Sequence, residues 1–260
     1  MTGTGKTALI TGASAGLGTQ LARLFAADGH DLVLVARRRD KLEELAAQLR
    51  AAHGIHTTVI AADLTDSTAP VRVHEEVTQA GIEVEYLVNN AGFGTNGAFA
   101  ELDLARELDL IELNVTALTH LMGLFLPAMV ARGSGRALNI GSGAGFLAGP
   151  FMATYYASKA FVVHFTEALA YELWGTGVTA TALCPGPTAT EFGAVAGAHD
   201  SALFKAGVAD TVAVARSGYR AMMAGKAIAI PDMKTRLSVE ALRISPRFIT
   251  RAVAARTNKS

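Results

Sequence analysis

The sequence predicts an α/β fold, a single-domain, doubly wound parallel sheet of about seven strands flanked by helices. Three observations predict it. Short apolar runs alternate with longer stretches of helical period. The runs are continuous, as in Leu32-Val33-Leu34-Val35, which marks strands buried on both sides. The first run empties into a glycine-rich turn that opens a helix.

The first strand is Ala8–Thr11. The turn Thr11-Gly12-Ala13-Ser14-Ala15-Gly16-Leu17-Gly18 follows, and then Leu21, Leu24 and Phe25 recur at helical spacing. Unpaired N–H groups at such a helix start, with the helix dipole behind them, make a site for phosphate. Gly12 would permit the tight turn, Gly16 would admit a pyrophosphate to the backbone, and Gly18 would let helix pack on strand. The spacing is G-x-x-x-G-x-G, and no Lys-Ser/Thr pair follows to make a Walker loop. Asp31–Ala36 is the second strand, closed by Arg37-Arg38-Arg39-Asp40. Asp40 reads as the N-cap of the helix carrying Leu42 and Leu45. Thr57–Ala61, Tyr86–Asn89 and Ala137–Gly141 are the third to fifth strands, Val178–Cys184 the sixth and Ala227–Ile230 the last. The stretch Thr188–Gly225 breaks the rhythm, loop-like at first and then weakly helical. Ligands of α/β sheets bind past the carboxyl ends of the strands, so 188–225 is expected to be a substrate lid.

One constellation carries chemistry. Tyr155 and Lys159 stand one helical turn apart in Tyr-Tyr-Ala-Ser-Lys, thirteen residues after Ser142. A free phenol titrates near pH 10, and a cation within reach lowers it by roughly 1–3 units, toward the range where general acid–base catalysis works. Lys159 is expected to do this to Tyr155, with the Ser142 hydroxyl holding a substrate oxygen. Tyr156 lies three residues before Lys159 and lacks the relation.

Taken together these strings resemble the short-chain dehydrogenase/reductase family, in its branch of about 250 residues. The resemblance covers roughly residues 5–235 and follows the family's order. It runs from Thr11–Gly18 through Asp63-Leu64, Asn89-Asn90-Ala91-Gly92, Asn114, Ser142 and Tyr155/Lys159 to Pro185-Gly186-Pro187-Thr188. One departure is Gly141, where many members carry Ser or Thr. The resemblance implies a Rossmann-type fold, a nicotinamide cofactor and hydride transfer between alcohol and carbonyl. Tyr155 would then be the general acid/base, with Asn114, Ser142 and Lys159 beside it. The cofactor would lie on Gly12, Ser14, Ala15, Gly16, Leu17 and Gly18 and on Asn90, Ala91 and Gly92. Asp63 would accept from the adenine amine with Leu64 beside the ring, or act as an N-cap. Asn90 would lie near the ribose or brace the sheet. Pro185 and Gly186 would shape the turn that brings Thr188 to the carboxamide. Lys159 would also hold the ribose. Asn114 would anchor a water that relays protons to Lys159, or cap local backbone.

Cofactor preference is read at the second strand's end. An acid there holds the 2′-hydroxyl of NAD, and an arginine pairs with the 2′-phosphate of NADP. Ala36 is no acid, and Arg37, with Arg38 next to it, can present a planar fork to phosphate. NADP(H) is therefore expected over NAD(H), with Asp40 as ribose ligand the alternative.

Composition excludes several classes. Twenty-three basic and 23 acidic residues cancel, which gives no reason to expect a nucleic-acid partner. A single cysteine, Cys184, allows no internal disulfide, and no Cys/His cluster points to a metal. The first residues lead directly into a strand, and the apolar stretch Leu118–Val130, with His120 and Pro127, is shorter than the ~20 residues of a span. A cytoplasmic location is expected. The tail at 236–260 carries Arg243, Arg247 and Arg251 at four-residue spacing among apolar residues. It reads as a helix packed on the domain or a partner subunit, in preference to an interfacial membrane helix. By resemblance a homodimer or homotetramer is expected. Phe146, Leu147, Phe151, Met152, Phe192 and Phe204 are expected to wall an apolar pocket for a small-molecule carbonyl substrate. Lys205 alone does not make a site for an anionic one.

Overall fold

The computed structural model of the chain describes residues 5–197, 207–242 and 244–259, so Phe204, Lys205 and Arg243 lie outside the described residues. Strands and helices alternate as β1 (Thr7–Thr11), α1 (Gly16–Ala27), β2 (Asp31–Ala36), α2 (Arg39–His53), β3 (Thr57–Ala61), α3 (Ala69–Gln79) and β4 (Val84–Asn89). Then come α4 (Leu104–Ile111), a π-helical turn (Glu112–Ala117), α5 (Leu118–Arg132), β5 (Gly135–Ile140), α6 (Ala153–Glu172) and β6 (Val178–Leu183). The short α7 (Phe192–Val195), α8 (Thr211–Met223), β7 (Ile228–Ala229), α9 (Met233–Leu242) and α10 (Arg247–Asn258) complete the chain.

The seven strands form one parallel sheet in the order β3-β2-β1-β4-β5-β6-β7. Successive residues of the continuous apolar strands serve opposite faces. Ala8 and Ile10 of β1, with Leu32 and Leu34 of β2, pack against α1, α2 and α8, while Leu9, Val33 and Val35 pack against α3 and α5. Strand order reverses between β1 and β4, which makes the crevice past their carboxyl ends the switch point where such sheets bind ligands.

Several expectations change. β4 and β5 begin two residues earlier than the apolar runs do. Glu85 interrupts the run in sequence, yet it is buried and held by Lys6 Nζ at 2.8 Å, Ser134 Oγ at 2.7 Å and Arg132. The apolar stretch of α5 belongs to an unbroken 29-residue helix, Leu104–Arg132, long and apolar enough by length and composition to cross a membrane. Its side chains Leu118, Leu121, Met122, Phe125 and Met129 nonetheless pack into the core on the sheet. Asp40 is not an N-cap. It lies in the first turn of α2 behind Arg38, where its charge favours the helix dipole. The segment 211–223, assigned to the lid by its weak helical pattern, is a core helix that buries Val214, Ala215, Tyr219 and Met222 against α1 and the sheet. The tail is two helices, because Pro246 lacks an N–H to continue α9 and instead sits at the start of α10.

Candidate active site

The β1–α1 turn is built so that side chains would not fit. Gly12 has φ +65°, and a Cβ there would stand 2.7 Å from Asn90 Nδ2. A Cβ on Gly18 would strike the Gly12 carbonyl and lie 2.6 Å from the same amide. Gly16 also has a positive φ, +53°, and its open side faces the Thr190 methyl at 3.1 Å. Thr11 and Asn90 lock this corner. The Thr11 hydroxyl accepts from the Asn90 and Ala91 amides, both at 3.0 Å, and Asn90 Nδ2 donates to the Thr11 and Gly12 carbonyls. Of the two roles expected for Asn90, the brace is the one its amide performs. No side chain caps the first turn of α1, so its leading N–H groups are left for an anion. Ser14, Ala15 and Leu17 border this opening at intermediate exposure. The cradle fits a dinucleotide pyrophosphate.

At the next strand ends Ser142, Tyr155, Lys159 and Asn114 converge. β5 delivers Ser142, whose Oγ accepts from the Ala144 amide at 3.1 Å, donates to the Pro185 carbonyl at 3.5 Å and lies close enough to the Tyr155 phenol to act on its titration. Tyr155 and Lys159 face the same way from α6, with Nζ 5.8 Å from the centre of the phenol ring. Tyr156 is directed elsewhere, its hydroxyl donating to Asn258 Oδ1 at 3.0 Å. Asn114 sits in the π-helical turn. Its amide brackets the Phe93 backbone, accepting from N at 3.1 Å and donating to O at 2.9 Å, and donates again to Ser158 Oγ. The backbone that the side chain holds is not local but 21 residues away. Gly92 lies between Asn114 and Lys159, since a Cβ there would meet Asn114 Oδ1 at 2.9 Å and Lys159 Nζ at 3.6 Å. Gly141, the departure from the family pattern, is closely packed, and a Cβ there would stand 3.2 Å from Cys184 Sγ and 3.3 Å from the Val163 methyl.

The electrostatics depart from expectation. Burial pushes the Tyr155 phenol well above its ordinary value, and the neighbouring Ser142 hydroxyl only partly opposes this. Burial also lowers Lys159, to about 8, and its ammonium donates to the Ile140 carbonyl at 2.8 Å. Without bound cofactor, Lys159 therefore does not lower the phenol pKa. Desolvation of a fully enclosed hydroxyl outweighs a cation whose proton points to a backbone carbonyl.

At the other end, β2 delivers Arg37 and Arg38 to the surface. Arg37 Nη1 lies 3.9 Å from Asp63 Oδ2, and Arg38 reaches Ser14 at 3.4 Å and Glu191 Oε2 at 3.1 Å. Asp63 caps no helix; its other oxygen holds the Thr65 amide and hydroxyl in a turn. The Leu64 side chain is buried in the core beside α3, so it leaves only its backbone to offer an adenine ring. Pro185 accepts from the Gly143 amide at 2.8 Å, Gly186 is packed on Thr235, and the Thr188 hydroxyl donates to the Gly186 carbonyl at 3.0 Å. Among the expected wall residues, Phe192 lies against Tyr155, ring centres 5.1 Å apart, and Leu147 packs nearby. Met152 is buried in that cluster, Phe146 packs toward Val163 and Cys184, and Phe151 takes a positive φ of 66°.

Sequence reasoning missed Thr11, Glu191 and Asn258. A threonine closing a strand ahead of a glycine turn is a signal for the first. Nothing local marks the other two, whose partners are 153 and 102 residues away.

Comparison with known proteins agrees with this architecture. Residues 6–200 match the family model described as short chain dehydrogenase. Sulfoacetaldehyde reductase 2 of Chromohalobacter salexigens is 40% identical over 205 residues, 78% of this chain and 81% of that protein. A short-chain dehydrogenase from Sphingobium yanoikuyae, solved in complex with NADPH, superposes with a TM-score of 0.83 at 34% identity over 92% of each chain. One from Burkholderia phymatum, solved in complex with NAD, gives 0.82 at 26% identity over 92% of each.

Proposed function

The chain belongs to the short-chain dehydrogenase/reductase family and is an NAD(P)-dependent oxidoreductase; from that premise we propose that it is an NADPH-dependent reductase of an apolar ketone, aldehyde or 3-oxoacyl group. The feature that carries the direction is the buried Tyr155 phenol beside the Ser142 hydroxyl, which burial holds in its protonated form. A phenol held as an acid is suited to give a proton to a developing alkoxide. The arginines at the end of β2 carry the cofactor preference, since no carboxylate stands at Ala36 to hold a ribose 2′-hydroxyl.

NADPH held on Gly12–Gly18, Arg37, Arg38 and Asp63 would supply a hydride to the carbonyl carbon. The Ser142 and Tyr155 hydroxyls orient the carbonyl oxygen between them, and Tyr155 delivers the proton from its own oxygen. Lys159, buried beside the phenol, is the nearest proton reserve. Asn114 fixes the Phe93 backbone and Ser158, and so the floor under that reserve. Phe192 and Leu147 supply apolar walls. We place the enzyme in the cytoplasm as a homo-oligomer. The exposed Leu104, Leu108 and Ile111 of the α4 face support a partner subunit there.

The test is NADPH oxidation, with NADH in parallel, across apolar ketones, aldehydes and 3-oxoacyl thioesters. Turnover with NADPH supports the reading. Preference for NADH turns it into an NAD-dependent alcohol dehydrogenase, the reading a carboxylate as close to Arg37 as Asp63 favours. Tight NADPH binding with silence across the panel turns it into a nucleotide-binding sensor.

A further inference from the structure

The two C-terminal helices present apolar side chains to solvent. α10 is anchored through Ala254 and Asn258, which are buried on one face. On the opposite face Phe248 is 67% exposed, with Ile249 and Val253 beside it. In α9 the anchor is Val239, while Leu237 is 63% exposed, Met233 lies on the same outward side, and Ile244 in the connection is 88% exposed. A surface helix ordinarily turns its polar side outward, and a run of exposed large apolar groups marks an interaction surface.

The same segment concentrates positive charge. Met233–Ser260 holds seven basic residues against one acid, Glu240, a net of six positive charges in a chain whose total is zero. Lys234, Arg236, Arg247, Arg251, Arg256 and Lys259 are exposed, and among the described residues none of the six pairs with a carboxylate. Exposed apolar side chains interleaved with unpaired cations are the surface chemistry of a helix that lies in a lipid headgroup layer.

We propose that α9 and α10 dock this enzyme on an anionic phospholipid surface. A second copy fits the patch less well, because a two-fold interface would set six positive charges against the same six. The docking face adjoins the site. Asn258 bonds the Tyr156 hydroxyl and the Pro150 carbonyl, and Thr235 lies against Gly143, the residue after Ser142. A cleft of about 630 Å³ separates the tail from segment 145–150, with Phe146, Leu147 and Leu242 on its apolar side and Arg247 and Arg251 on its charged side. If the substrate is apolar, as proposed above, docking brings the enzyme to the phase where that substrate concentrates; the docking itself does not depend on that reading.

Sedimentation of the full chain with vesicles tests it, using phosphatidylcholine alone and phosphatidylcholine mixed with phosphatidylglycerol. The protein should pellet with the mixed vesicles, remain free of the neutral ones, and be released by salt. R247Q/R251Q should weaken binding by about thirtyfold, taking about 1 kcal/mol for each of the two charges removed. F248S/I249S should weaken it as well. Both pairs are exposed, and an unchanged melting temperature in the absence of vesicles confirms that each variant is folded. Failure of the wild type to bind phosphatidylglycerol vesicles, or binding that neither double variant reduces, overturns the proposal. So does a dimer by light scattering that F248S/I249S converts to monomer without any vesicle binding, which would assign the patch to a second copy.

Discussion

At the scale of single residues, burial acts on Tyr155 and Lys159 with opposite signs, because one is charged without its proton and the other with it. The phenol is pushed up and stays protonated; the ammonium is brought down to about 8 and loses its proton as pH rises through that value. If Lys159 recharges the phenol, kcat/KM for reduction should be level below pH 8 and fall above it, and Lys159→Met should be slower with that inflection gone. A profile level to pH 10 would remove Lys159 from the relay. Tyr155→Phe should cost about 10²–10⁴ in turnover, the usual worth of a positioned acid. Tyr156→Phe, which loses only its bond to Asn258, should keep near-normal turnover and about 1 kcal/mol less stability, read from thermal unfolding. The sequence could place Tyr155 over Tyr156 because a four-residue offset sets two side chains on one helix face. It could not give the sign of the phenol shift, because desolvation depends on what the rest of the chain packs around α6.

At the scale of elements, the β1–α1 turn and the β2–α2 turn meet the cofactor from two sides. Gly18 is fixed by contact with Gly12 and Asn90, so Gly18→Ala should destabilise the fold by about 1–3 kcal/mol, seen as a melting point several degrees lower, and weaken NADPH binding. The β2 end is tunable. Arg37→Asp should reverse preference toward NADH, and a variant that kept NADPH would refute the assignment of Arg37 to the 2′-phosphate. Glu191 competes for Arg38 across 153 residues, so Glu191→Gln should tighten NADPH several-fold and leave NADH unchanged in fluorescence titrations, a modest effect because the pair is exposed. The ends of β1 and β2 were legible, because the runs that stop at Gly12 and Arg37 leave little ambiguity, whereas β5, β6 and β7 each end one residue before the expected Gly141, Cys184 and Ile230. The start of β4 was hidden by Glu85, a charge admitted to the core only because Lys6, Arg132 and Ser134, from outside that strand, supply its partners.

At the scale of the whole molecule, the end of the chain returns to the site. Asn258 accepts from Tyr156, donates to Pro150 and receives the Asn96 amide at 2.8 Å on its backbone carbonyl. Asn258→Ala would strand buried partners and should cost about 2 kcal/mol, with a matching loss of activity as segment 149–156 loosens; an unchanged melting curve would show that the tail is not a structural part of the site. The sequence by itself determined the alternating α/β plan, the glycine turn and the Ser142, Tyr155 and Lys159 set. Each rests on local properties: hydrophobic period, the need for positive φ, and side chains one helical turn apart. Only the tertiary structure decided the strand order, the burial of α8 in what the sequence reads as a lid, the Arg38–Glu191 and Tyr156–Asn258 pairs, and which face of the tail meets solvent. Those depend on contacts between residues far apart in the chain, where neither spacing nor propensity carries a signal.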